Sequence, residues 1–246
     1  MKCRGPPSAL NCRKLGRVKQ DSSCASSWTV SELRCGYNGV TDGMARRWNM
    51  GLAQLSERPE VFAFMQKLNP FTVSRIRELA TRNVPNTPGF AILDIGCGVG
   101  YYRGVFNQTD YTGVDVNPAY IDFAKRAYRN SEFRVMTAEK LDLPAKRFDA
   151  VLSTGMTHHL SDDVLNAMVR ESLRVTRDKA TLHIVDAILP VSRGARLKRW
   201  FFLQDRGRHQ RSLGDMTAIL SAGGNLARVE VLTGPVHDVA YFRLQF

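Results

Sequence analysis

Three glycines at alternate positions, Gly96, Gly98 and Gly100, sit between an apolar run, Phe90 to Leu93, and the polar and aromatic stretch that begins at Tyr101. Glycine takes positive φ at little cost and has no Cβ, so such a turn lets backbone N–H groups approach a ligand closely, with the positive end of a following helix behind them. Nucleotide-like cofactors bind in cradles of this kind. Asp94 precedes the first glycine by two residues, and Asp115 closes a second apolar run, Tyr111 to Val114, nineteen residues after it. An acid at the tip of the second strand is placed to accept both hydroxyls of a ribose. A dinucleotide fingerprint wants its third glycine at the sixth position; counted from Gly96 that position is Tyr101, while Gly100 is fifth. The spacing therefore weighs against NAD. Further along, His158 and His159 offer imidazoles able to take a proton near neutral pH.

These residues need a scaffold that brings strand ends together. Phe90 to Gly100 reads as buried strand, glycine turn and helix start, and YTGVD as a second strand leading to a helix that begins at Asn117 and Pro118. Phe133 to Met136 and Phe148 to Leu152 read as third and fourth strands, with Ser153 to Leu160 as the loop at the latter's C-terminal end, where open α/β sheets bind ligands. Asp162 and Asp163 begin a helix reaching about Val175, and residues 180 to 189 form an apolar fifth strand. Strands alternating with helices give an α/β, doubly wound sheet. Leu213 to Ala222 is helical, and Ala227 to Leu232 and Val239 to Phe246 are two final strands pairing antiparallel across a short turn. Upstream, residues 57 to 83 carry two helices, one with Val61, Phe62, Phe64, Met65 and Leu68 on one face, the other with Val73, Ile76, Leu79 and Ala80.

Together, DIGCGVG and YTGVDVN resemble the first two motifs of the class I S-adenosylmethionine-dependent methyltransferases, and the resemblance covers roughly Phe90 to Leu189. It implies a Rossmann-like seven-stranded sheet with an antiparallel last strand and S-adenosylmethionine as cofactor. Gly96, Cys97, Gly98 and Gly100 would form the cradle with Asp94 supporting it, and Asp115, Val116 and Asn117 the ribose side. Thr137, Ala138 and Glu139 would lie at the adenine; this motif usually has an acid where Thr137 stands, and Glu139 is the nearest acid able to substitute. Ser153, Thr154 and Gly155 would line the methionine side. In the family the N-terminal helices often close over the cofactor; simple packing on the sheet is the plainer alternative. Methyl transfer from a sulfonium is an in-line displacement that needs a base only where the nucleophile has a proton to lose. His158 and His159, near the expected position of the methyl group, are the candidate catalytic bases, whereas His183 inside the fifth strand reads as a satisfied interior residue.

The segment from Pro190 to Arg211 is the most individual, with seven Lys or Arg against Asp205 alone and aromatics interleaved. The family inserts its substrate cap here, between residues 190 and 212. Asp186, Arg196, Arg199, Trp200 and His209 are the substrate-binding candidates. Three readings stay open for the segment: a helix with a solvated basic face, a pocket for a carboxylate- or phosphate-bearing small molecule, and docking to anionic membrane or RNA.

The whole chain has 246 residues, 43% apolar and 24% charged, with a formal charge of +12, ordinary for a globular domain and favourable to anionic partners. Residues 1 to 43 have no sustained period and read as a basic, disordered tail ahead of a methyltransferase domain over 44 to 246. Four of the five cysteines, Cys3, Cys12, Cys24 and Cys35, lie in that tail without a C-x-x-C pair, so no metal site is expected and unpaired thiols in a reducing compartment are. No apolar run is long enough to span a bilayer and no secretory h-region is present, so a cytoplasmic protein is expected, with peripheral membrane contact the remaining membrane option. The expected activity is methylation of a small molecule, with oxygen slightly favoured and an anionic acceptor allowed. An RNA-modifying methyltransferase and a non-catalytic binding protein are the alternatives.

Overall fold

The computed structural model describes residues 58–68, 70–192, 195, 198–199, 208–235 and 237–246. The sequence expectations for residues 1–43, and for Arg196 and Trp200, fall outside them. Two helices, α1 (Pro59–Leu68) and α2 (Pro70–Asn83), precede β1 (Ala91–Ile95), α3 (Tyr101–Val105), β2 (Asp110–Asp115), α4 (Pro118–Ala127) and β3 (Glu132–Val135). Then come β4 (Phe148–Thr154), a 3-10 turn (Thr157–His159), α5 (Asp162–Val175), β5 (Thr176–Ile188), α6 (Leu213–Gly223), β6 (Asn225–Leu232) and β7 (Asp238–Gln245). The strands form one seven-stranded sheet in the order β3-β2-β1-β4-β5-β7-β6. β1 to β5 run parallel, and β7 lies antiparallel between β5 and β6.

Local chemistry fixes the helix starts. Asn117 accepts the Ala119 N–H with Pro118 at the first helical position, Ser161 accepts from Val164 ahead of two acids, and Ser212 and Asp215 form a reciprocal capping box. Helices cover both faces of the sheet. On one, Leu165, Met168 and Val169 of α5 and Met216 and Leu220 of α6 pack on Val151, Leu182, Ile184 and Phe242; on the other, Ile76 and Leu79 of α2 and Ile121 and Ala124 of α4 pack on Ile92, Leu152 and Tyr241. Each of the larger aliphatic side chains among these contributes on the order of 1.5–3 kcal/mol by leaving water. Among the described residues, no helix is long and apolar enough to cross a membrane.

Several strand boundaries differ from the sequence expectation by a residue or more, and those of β4 and β5 bear on the site. β4 continues through Ser153 and Thr154, because these pair with Ile184 and Val185 of β5. β5 starts at Thr176, directly after α5, since Thr176 pairs with Phe148 across an irregularity in the ladder. The order of strands reverses beside β1, with β2 on one side and β4 on the other. A crevice must therefore open at the C-terminal ends of β1 and β4.

Candidate functional site

That crevice holds two adjoining cavities, of about 550 and about 200 Å³, which share Gly96, Asp115, Val116, Met156 and Leu160. The glycine turn forms one wall, with φ of +76°, +54° and +82° at Gly96, Gly98 and Gly100. It is fastened to β2, the N–H groups of Gly96 and Cys97 both donating to Val114 O at 2.8 and 3.0 Å. A Cβ on Gly96 would stand 2.5 Å from Met156 Cγ, and one on Gly98 3.1 Å from Phe62 Cε1. Met156 and Phe62 both line the cavity, so the absent Cβ atoms are what keep this wall thin.

Asp115 closes the same wall, its Oδ2 accepting from Gly98 N–H and its Oδ1 from Asn117 N–H, each at 2.9 Å. Burial raises its carboxyl above the ordinary value, with the N–H groups of Asn117, Gly98 and Val116 opposing. Asp94, one strand inward, is fully buried; Tyr111 donates to its Oδ2 at 2.5 Å, and Oδ1 has no hydrogen-bond partner among the described residues. Burial pushes this carboxyl up to about 7, against the Tyr111 hydrogen bond and with a smaller push from Asp115. The Cys97 thiol is driven upward by burial and by the charges of Asp94 and Asp115.

Thr137, Ala138 and Glu139 line the smaller cavity beside Val116 and Met136. Thr154 and Gly155 line the larger one, but Ser153 lines neither. Ser153 is fully buried in β4 with no partner for its Oγ among the described residues, because successive strand residues face opposite sides and Thr154 takes the open one. Asn117 reaches the cavity while its side chain caps α4.

The two histidines part company. His159 lines the larger cavity. His158 is buried, and its Nδ1 donates to Asp186 Oδ1 at 2.7 Å. Asp186 Oδ2 further accepts from Thr157 Oγ1 at 2.5 Å and from His158 N–H at 3.1 Å, and Ala187 N–H reaches Oδ1 at 2.7 Å. Burial alone would raise the Asp186 carboxyl, but the charge and hydrogen bond of His158, with those of Thr157 and Ala187, hold it below its ordinary value. The expectation that Asp186 grips substrate is therefore corrected: it is 1% exposed and occupied in holding the turn that presents His159. His183 is the interior residue expected, within 2.8 Å of Tyr241 Oη and 2.6 Å of Thr181 Oγ1, its pKa lowered by burial and Arg243 to about 4.

The basic segment is less free than its composition implies. Lys198 pairs with the buried Asp238 at 2.6 Å, and Arg211, 7% exposed, is bonded to Asp162 and to loop carbonyls. Arg199 is exposed. His209 lies in a separate recess with Asp162, Arg211 and Asp215, not in the glycine-turn cleft.

Sequence reasoning missed the aromatic wall of the larger cavity: Phe62 from α1, Tyr101 and Tyr102 from α3, and Tyr120 from α4. Phe62 stacks on Tyr120 with ring centroids 4.9 Å apart. Tyr101 and Tyr102 follow the turn directly and so carried a positional signal; Phe62 stood on the apolar face of an N-terminal helix, but its meeting with Tyr120, 58 residues away, had no signal in the sequence. Among the described lining residues of both cavities there is no Lys or Arg, while Asp115 and Glu139 are acidic. Such a cleft suits a ligand that carries positive charge on an apolar and aromatic-compatible body.

Residues 92–179 match the family model of a methyltransferase domain. A ubiquinone biosynthesis O-methyltransferase from Bradyrhizobium sp. is 31% identical over 111 residues, covering 40% of this chain and 44% of that protein. A probable tRNA methyltransferase 9B from Mus musculus is 38% identical over 76 residues, covering 30% of this chain and 16% of that one. The chain thus spans less than half the length of these curated relatives. Among solved structures, the cyclase SpnF superposes with a TM-score of 0.58 at 17% identity, covering 70% of this chain and 80% of that one. A SAM-dependent methyltransferase from Methanosarcina mazei gives 0.56 at 19% identity, covering 67% and 94%. At such identity these likenesses show the fold.

Proposed function

We propose that this chain, a member of the class I S-adenosylmethionine-dependent methyltransferase family, transfers a methyl group to a small apolar or aromatic molecule, most readily at oxygen. The charge of the cleft carries the reading: two acids and no Lys or Arg among its described lining residues, with the unpartnered Asp94 Oδ1 close behind the turn. A dinucleotide would bring two phosphates into this setting, which repels them. S-adenosylmethionine brings an ammonium and a sulfonium, which it favours.

The residues present also fit the cofactor's other parts. The glycine turn leaves the space that Cβ atoms would fill, Asp115 stands at the tip of β2, and Thr137, Ala138 and Glu139 bound a cavity of about 200 Å³ with Met136 and Leu160, a setting for a flat base. When bound, the cofactor supplies a methyl group on a positively charged sulfur that is a good leaving group. The chain's own part is to orient and to keep water out. Phe62, stacked on Tyr120, lines the cleft with Met156 and Leu160, and Tyr102 is held by its hydrogen bond to Thr154. His159 stands on the larger cavity, placed to take a proton from an acceptor hydroxyl, while Asp186 holds the neighbouring His158. Oxygen is the atom named in the Bradyrhizobium relative's description. Recognition of an anionic acceptor would fall to the exposed Arg199 and to Arg196, the latter outside the described residues.

Calorimetric titration with S-adenosylhomocysteine tests the reading. Micromolar binding, weakened tenfold or more by Asp115→Ala, a loss of about 1.4 kcal/mol, is the expected result. Absence of binding by the wild type would overturn the enzyme reading. An RNA acceptor is the second reading, favoured by the net charge of +12 and the likeness to a probable tRNA methyltransferase.

A further inference from the structure

We propose that Arg211 is a positioning residue for the acceptor side of the site, fixing the backbone that presents His159 from the far end of the 190–211 segment. The proposal rests on the reading above only in giving His159 an acceptor to face. Arg211 lies 52 residues beyond His159 and lines neither cavity of the cleft.

Its guanidinium spends four of its five N–H donors on the turn's carbonyls and the following Asp162, and the fifth on His209 O. Nη1 donates to Thr157 O at 2.9 Å and His209 O at 3.2 Å, Nη2 to Leu160 O at 2.6 Å and Asp162 Oδ1 at 2.6 Å, and Nε to Asp162 Oδ1 at 2.9 Å. Thr157 and Leu160 bracket His158 and His159, so one planar group spans the turn. Beside it, His209 N–H donates to His158 O at 3.0 Å, and Leu189 N–H to Arg211 O at 2.9 Å. The segment that leaves β5 after Leu189 therefore returns to Leu189 at Arg211, and touches the turn as it does so.

Asp186 separately takes Thr157 Oγ1, His158 N–H and His158 Nδ1. The turn is thus held both by Asp186 of β5 and by Arg211. Lysine cannot substitute, having one nitrogen and three donors where the site uses a flat fork of five.

The test uses the imidazole signals of the full-length protein by NMR, His159 being assigned through His159→Gln. In Arg211→Lys the His159 signal is expected to shift, broaden or split, with and without S-adenosylhomocysteine, whose affinity changes less than twofold. The His183 signal, buried against Tyr241, should stay in place and report an intact fold. Asp162→Asn, which removes an exposed carboxylate, is expected to move His159 in the same direction by a smaller amount and serves where the arginine variant does not fold. A His159 signal whose shift, width and pH titration match the wild type in Arg211→Lys, or in Asp162→Asn if that variant alone folds, would overturn the proposal. Because the signal is read in the free protein, failure of the wild type to bind S-adenosylhomocysteine would remove the methyltransfer reading without touching this one.

Discussion

Two buried groups set opposing pH dependences at single residues. Asp94 titrates near 7 in the fold against 3.8 ordinarily, so the native state holds its proton longer than the unfolded chain does. Its contribution is fully present below about pH 3.8 and is lost as pH rises through 7. His183, at about 4 against 6.5, has the opposite sign: the unfolded chain takes the proton first, and stability is lost as pH falls from about 6.5 towards 4. A tenfold change in proton affinity is worth about 1.4 kcal/mol, so the two effects are of similar size and partly cancel. Asp94→Asn should raise the urea midpoint at pH 8, where the buried charge costs most, while weakening S-adenosylhomocysteine tenfold or more. A lower midpoint at pH 8 would contradict the burial argument. His183→Gln should flatten the acid side of the stability profile between pH 6.5 and 4, measured by urea denaturation at half-unit steps; an unchanged slope would show the ring to be no proton sensor.

At the scale of elements, the site joins parts with separate tasks. The β1–α3 turn supplies a thin wall, and α1 contributes Phe62, which reaches both Gly98 and Tyr120. Phe62→Ala should weaken S-adenosylhomocysteine by about tenfold in calorimetry while shifting the thermal midpoint little, since the ring is only half-buried in the free protein. Equal affinity would mean that α1 merely packs on the sheet. Gly96→Ala meets both a φ of +76° and Met156 at 2.5 Å, so it should abolish cofactor binding measurable at about 100 μM ligand. The β4–α5 turn depends on its neighbours. Asp186→Asn should lower turnover at least tenfold with cofactor affinity within threefold, because it frees His158 without entering the cleft.

For the whole molecule, the reversal of strand order beside β1 decides where a ligand can go, and the net charge decides which partners approach. With a charge of +12, weak RNA binding through phosphate contacts is expected regardless of function. An RNA acceptor predicts more: submicromolar affinity at 150 mM salt that falls steeply by 300 mM, together with methylation of the bound strand. Micromolar, unmethylated binding leaves the small-molecule reading standing.

The strand-turn-helix at Phe90–Gly100, Asp115 at a strand tip, the five parallel strands and the antiparallel pair after them were all legible in the order of residues, because apolar runs, glycines and caps act over a few neighbouring positions. That both histidines follow the fourth strand was also legible. Telling them apart took the folded chain, because the difference lies in Asp186, 28 residues from His158. Likewise Ser153 looked equivalent to Thr154 until the pairing of β4 with β5 fixed which one faces the cleft. The basic segment looked like a ligand site by composition, yet Lys198 and Arg211 proved to be committed to Asp238 and to the His158–His159 turn. Charges, strand faces and hydrogen-bond partners are shared across chain-distant segments, and composition cannot say with whom.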